Sequence, residues 1–99
     1  MNNMMNNNVG ELPQKDILPI IFDIRDVKKI TILVKHGTTV ADMIKQFFNE
    51  IQKPELINRK GDIYFLFNGS KLDCDDKREV EKLFRPNSYI IALDLKNLI

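Results

Sequence analysis

The groups in this chain that could do chemistry are few and stand apart from one another. His36 is the only imidazole in the 99 residues. It lies beside Gly37, and no serine or cysteine stands at a spacing that would make it a general base, so a surface histidine is the better reading. Cys74 is the only thiol. It sits between Asp73 and Asp75, and neighbouring carboxylates hold a proton on sulfur, which disfavours a reactive thiolate. Asp73, Asp75, Asp76 and Glu79 offer oxygen ligands, but their spacing matches no calcium loop, and a solvated acidic loop is the plainer reading. The four glycines are isolated, so no phosphate-cradling loop is present. One cysteine and one histidine also leave too few ligands for a structural zinc site. No catalytic residue, metal ligand or cofactor site emerges, and the chain is expected not to be an enzyme.

The remaining charge is spread evenly. Fifteen basic and 14 acidic residues give a formal charge of +1, which creates no general field to steer a polyanion. Nucleic acid is therefore not an expected partner. The one basic concentration is Arg25, Lys28, Lys29, Lys35 and His36, on or near a single hairpin. No apolar run approaches the length of a membrane span, and the N-terminus has no signal-peptide core, so no membrane association is expected. A lone cysteine fits a reducing compartment, and cytoplasm or nucleus is the default location.

The elements that must position these groups follow from hydrophobic patterning. Residues 1–16 read as a disordered Asn- and Met-rich tail: the opening stretch is low-complexity and has no period. Residues 17–99 form one domain. Ile17 to Ile24 alternates, with Leu18, Ile20, Phe22 and Ile24 on one face, and Lys29 to Lys35 follows with Ile30, Ile32 and Val34 inward. The connection lacks Asn-Gly or Asp-Gly, which predicts an antiparallel hairpin with a loop longer than two residues. Thr39 is a good N-cap and Asp42 complements the start of a helix over Val40 to Ile51. Its stripe is Val40, Met43, Ile44, Phe47 and Ile51, with Phe48 at the margin. Pro54 stops the helix. Pro54 to Asp62 reads as a loop and Ile63 to Phe67 as a third strand. Asn68-Gly69 marks a turn, and Lys71-Leu72-Asp73 a short fourth strand. Val80, Leu83 and Phe84 suggest one helical turn. The last strand is expected over Tyr89 to Leu95, with Ile91, Leu93 and Leu95 in the core and Ile90, Ala92 and Asp94 outward. The order is β-β-α-β-(β)-β, an α+β roll in which one amphipathic helix covers one sheet face. Burial of both apolar faces places the first and last strands side by side, parallel, at the sheet's centre.

This order, and several stretches of sequence, resemble the ubiquitin superfamily over about Ile17 to Leu95. The resemblance rests on four pieces: the hairpin from Pro19-Ile20-Ile21-Phe22 to Ile30-Thr31-Ile32-Leu33-Val34; the helix entry Gly37-Thr38-Thr39-Val40; the strand and turn Tyr64-Phe65-Leu66-Phe67-Asn68-Gly69-Ser70-Lys71-Leu72; and the closing Ser88-Tyr89-Ile90-Ile91-Ala92-Leu93. The resemblance implies a ubiquitin-like β-grasp roll that binds other proteins. Two departures bear on function. Family members that become covalent modifiers end in a slim Gly-Gly tail, whereas this chain has no Gly-Gly and is expected to be non-conjugatable. Ubiquitin meets most receptors through three apolar residues of the outer sheet face, and the matching positions here are Arg25, Leu66 and Asp94; a closing strand shifted by one residue would put Leu93 in Asp94's place, but the unshifted match keeps Ile91 and Leu93 in the core and is preferred. A groove built for three apolar groups would then have to desolvate two charges.

The resemblance therefore implies a monomeric adaptor whose outer sheet face binds with altered specificity, with ubiquitin-receptor-type modules among the possible partners. The expected site is Arg25, Tyr64, Leu66, Lys71, Ala92 and Asp94, within an outward surface that also takes in Ile90, Ile21 and Leu33. A Ras-binding type of β-grasp domain, which meets a small GTPase through a basic second strand, is the alternative.

Overall fold

The structure, a computed structural model, describes residues 16–99. The expected tail lies outside these, Asp16 excepted. Two strands, β1 (Ile17–Ile24) and β2 (Lys28–Lys35), are followed by helix α1 (Val40–Glu50), a 3₁₀ segment over Pro54–Asp62, β3 (Tyr64–Phe67), β4 (Ser70–Lys71), a 3₁₀ turn over Val80–Lys82, and β5 (Ser88–Leu93). The sheet order is β2-β1-β5-β3-β4, with β1 and β5 parallel and the other pairs antiparallel. The first and last strands are thus neighbours inside the sheet, as their apolar faces require.

The β1–β2 connection has three residues, and Asp26 takes a left-handed conformation at φ 68°. That is the longer hairpin loop expected where Asn-Gly is missing. Helix α1 begins as its sequence predicts: the Thr39 hydroxyl accepts a hydrogen bond from the Asp42 amide at 3.1 Å. The other free amides of the first turn are met from an unexpected quarter. Val40 N–H donates to the Arg78 carbonyl and Ala41 N–H to the Asp76 carbonyl, each at 2.9 Å. The acidic loop is therefore the helix's second cap. Within it the Asp76 carboxylate accepts from the Arg78 amide and guanidinium, which holds it below the usual carboxylate range.

The core lies between α1 and one sheet face. Leu18, Ile20, Phe22 and Ile24 of β1 are buried, as are Ile32 and Val34 of β2 and Val40, Met43, Ile44, Phe47 and Phe48 of the helix. Phe48, placed at the margin by the helical wheel, is fully buried, because the chain after α1 turns back at Gln52 (φ 62°) and Leu56 of the 3₁₀ segment packs under the helix. At the centre Phe22 stacks on Phe47 with ring centroids 4.2 Å apart, and Phe65 of β3 meets both edge-on at 6.1 and 5.8 Å. No polar or charged residue is buried among the described residues, so the core carries no desolvation penalty.

The closing strand departs from expectation. It ends at Leu93, and its inward residues are Ile90 and Ala92, both 0 % exposed, while Ile91 and Leu93 face outward and are half-buried. The run from Tyr89 to Leu93 is apolar at every position, so alternation alone could not orient it. Of the three residues expected inward, Ile91, Leu93 and Leu95, only Leu95 is buried. Asp94 adopts φ 65°, and this left-handed step takes Leu95 back to the core outside the strand's own alternation. Small Ala92 fits where it lies level with Ile24 of β1 and Phe65 of β3.

Two consequences can be measured. Phe47→Ala should cost about 3–5 kcal/mol in denaturant unfolding, a large part of the roughly 5–15 kcal/mol typical of a domain. Acid should loosen the α1 cap: the folded-state pKa of Asp76 is depressed, so its contribution is present above the unfolded carboxylate pKa and is lost as pH falls through the folded value. Asp76→Asn should flatten the acid limb of the stability–pH curve.

Candidate functional site

The sheet face away from α1 gathers most of the residues singled out from the sequence. Strand register sets them in rows. Lys29 of β2, Asp23 of β1, Ile91 of β5, Leu66 of β3 and Lys71 of β4 lie side by side across all five strands. In the next row Tyr64 stands opposite Leu93. On the other side Ile21 is flanked by Thr31 and Tyr89. The centre of this face is therefore an apolar group of Tyr64, Leu66, Ile91 and Leu93. Tyr64 is 42 % exposed and the other three are half-buried.

The polar rim is ordered by the aromatic rings. The Lys71 ammonium lies 5.0 Å from the centre of the Tyr64 ring and that of Lys29 5.5 Å from the Tyr89 ring, so each cation shields an aromatic face while remaining wet. The Tyr89 hydroxyl donates to the Asp23 carboxylate at 2.5 Å, tying β5 to β1 across the surface. Arg25 is exposed at the end of β1, and its amide donates to the Ala92 carbonyl at 3.2 Å.

Of the expected site, Tyr64, Leu66 and Lys71 come together on this face, and Arg25 stands at its edge. Ala92 and Ile90 do not belong there, because both are buried in the core. Asp94 is exposed, yet it sits in the left-handed step after β5 rather than within the strand row. The residues that replace them are Ile91 and Leu93. The outward surface is thus more apolar than expected: of the two charges foreseen among the three matched positions, the one at Asp94 gives way to Leu93. Ile21 and Leu33 do face outward, Leu33 at 61 % exposure. Tyr89 was missed as a surface residue. The signal was its place one residue before Ile90, which a reversed reading of the strand would have exposed.

Among the described residues, the second strand forms an open edge of the sheet. The His36 amide donates to the Asp16 carbonyl, so that pair is hydrogen-bonded and, by alternation, the backbone groups of Lys29, Thr31, Leu33 and Lys35 point away from β1. Two are already taken: the Gln46 side-chain amide of α1 donates to the Leu33 carbonyl at 2.8 Å, and the Thr38 amide donates to the Lys35 carbonyl at 3.2 Å. Lys28, Lys29 and Lys35 take part in no salt bridge among the described residues.

The groups that suggested chemistry are engaged structurally. Cys74 is half-buried beside an open crevice of about 340 Å³, with Sγ 4.0 Å from the Lys60 carbonyl. Burial first, and the Asp75 carboxylate second, push its thiol pKa up. Lys60 is paired with Asp75 across the same crevice. His36 is exposed, and the neighbouring Gly37 amide donates to both oxygens of Glu81 at 2.9 and 3.1 Å.

Comparisons with known proteins fit this architecture. No family model matches the chain, and no curated protein matches it. Among solved structures, one described as "Molecular Mimicry of SUMO promotes DNA repair" superposes with a TM-score of 0.58 at 15 % identity, covering 79 % of this chain and 91 % of the other. With the strand order and the single helix across the sheet, that likeness defines the fold as a ubiquitin-like β-grasp. No helix among the described residues is long and apolar enough to cross a membrane.

Cys74 should react slowly with iodoacetamide at neutral pH and faster once the chain is unfolded, because unfolding removes burial, the largest cause of its raised pKa, while Asp73 and Asp75 stay beside it in sequence. Thiol labelling followed by mass spectrometry reads this directly.

Proposed function

We propose that this chain is a non-enzymatic protein-interaction module that docks partners on the outer sheet face centred on Leu66. The observation that carries the reading is the apolar group of Tyr64, Leu66, Ile91 and Leu93 on the solvent side of a sheet whose other side is sealed by α1. An apolar centre with a ring of Lys71, Lys29 and Arg25 has the layout of an interface core and rim. A helical, ubiquitin-receptor-type module would lay its apolar stripe on Leu66 and Ile91. The fold likeness to a structure described as a mimic of SUMO supports the same class of function. The chain leaving β5 folds back through buried Leu95 and a 3₁₀ turn over Lys96–Leu98, with Leu98 packed on the core. A patch this small should bind with micromolar-class affinity.

The test is a titration of the labelled chain with a panel of helical receptor modules while amide shifts are followed. Perturbations should fall on β3 and β5, and Leu66→Asp should abolish binding while leaving the unfolding transition in place. Survival of binding in that variant would remove Leu66 from the interface.

A second reading has its own observation. The β2 edge carries Lys28, Lys29 and Lys35, and its outward backbone groups at Lys29 and Thr31 have no partner among the described residues, which suits addition of an extended strand from an acidic partner such as a small GTPase. It predicts shifts on β2, loss of binding on Lys29→Glu and steep weakening by salt. The same titration, with a GTP-loaded GTPase in the panel, separates the two readings.

A further inference from the structure

The turn between β3 and β4 holds the one Asn-Gly pair in the chain. Asn68 and Gly69 both take positive φ, 53° and 79°, as a two-residue type I′ turn requires. Both are exposed. Neither the Gly69 amide nor the Asn68 side chain makes a hydrogen bond among the described residues. Asn87, the other exposed asparagine held at positive φ (67°), provides an internal comparison. The nitrogen that follows it belongs to Ser88, carries a side chain on its Cα, and donates to the Arg85 carbonyl at 3.0 Å. Asn87's own amide donates to the Pro19 carbonyl at 2.7 Å, pinning that turn to β1.

We propose that Asn68 is a site of intramolecular deamidation, and that its isoaspartyl product releases β4 from the sheet. The Gly69 nitrogen, deprotonated by hydroxide, attacks Asn68 Cγ. A new N–C bond closes a five-membered succinimide, the bond from Cγ to the side-chain nitrogen breaks, and that nitrogen leaves as ammonia. Water then adds to one of the two ring carbonyls and opens the ring. Opening on one side gives aspartate with the original backbone. Opening on the other gives isoaspartate, in which the backbone runs through Cβ and Cγ and is longer by one methylene. Gly69 favours ring closure because no side chain crowds its nitrogen, and that nitrogen has no competing carbonyl to hold it.

The two products act differently on the structure. Aspartate tolerates the left-handed conformation as asparagine does, so the turn survives. The extra methylene cannot fit a two-residue turn whose flanking pairs are Phe67↔Ser70 and Leu66↔Lys71, and β4 consists of Ser70 and Lys71 alone. Isoaspartate therefore slips β4 and withdraws Lys71 from the Tyr64 ring. This inference stands independently of the docking reading.

The experiment incubates the folded full chain in mildly alkaline buffer and follows it by peptide mapping, with an isoaspartyl-specific methyltransferase to separate the two products. Asn68 should lose its amide ahead of Asn87, in proportion to hydroxide concentration. The amide resonances of Ser70, Lys71 and Tyr64 should shift as isoaspartate accumulates. Asn68→Gln, whose ring closure is slower, should abolish the conversion, and Asn68→Asp should leave the Ser70 and Lys71 resonances in place. Retention of the Asn68 amide while Asn87 converts, or conversion only after denaturation, would overturn the site. Reproduction of the shifts by Asn68→Asp would overturn the backbone-lengthening account.

Discussion

The stack of Phe22 on Phe47, with Phe65 set edge-on to both, is the contact on which the rest of the structure depends. It joins an inner sheet strand, the only α-helix among the described residues and the third strand at one point, and so decides which side of the sheet is core. Aromatic rings bury more area than aliphatic side chains and add about 0.5–1.5 kcal/mol per well-placed pair beyond that area. With α1 fixed there, the sheet has one dry face and one wet face. Everything proposed about recognition follows from that asymmetry.

Most of the fold was legible because its sequence signals agree across levels. The alternation of β1 and β2, the Thr39 cap, the stripe through Phe47 and the Asn68-Gly69 turn each point to the same roll. The pieces that were not legible have physical causes. The segment from Pro54 to Asp62 coils into 3₁₀ turns because Leu56 must reach the underside of α1, a tertiary demand with no local period to reveal it. The acidic loop near Asp76 looked like solvated chain, and its carbonyls instead cap α1, since backbone acceptors leave no mark in side-chain pattern.

The candidate site was legible only in part, and for one reason. A strand with apolar residues on both parities can be oriented only by its ends, and the end of β5 misleads. Leu95 is a core residue reached through the left-handed Asp94, so counting back from it in steps of two inverts the strand. Tyr64 and Leu66, which alternate with buried Ile63 and Phe65, face outward as expected, and so does Lys71, paired with Leu66 from β4. Ala92 and Asp94 do not hold their expected places. The inversion strengthens the apolar centre of the outer face, where Ile91 and Leu93 now flank Leu66 and Tyr64.

The division into dry and wet faces is tested most directly by methyl relaxation in the presence of a soluble paramagnetic probe. The account predicts strong broadening of the Ile91 and Leu93 methyl signals and near-complete protection of Ile90 and Ala92. Protection of Ile91 and Leu93 with broadening of Ile90 would contradict it, returning β5 to the opposite orientation and removing the apolar patch from the surface.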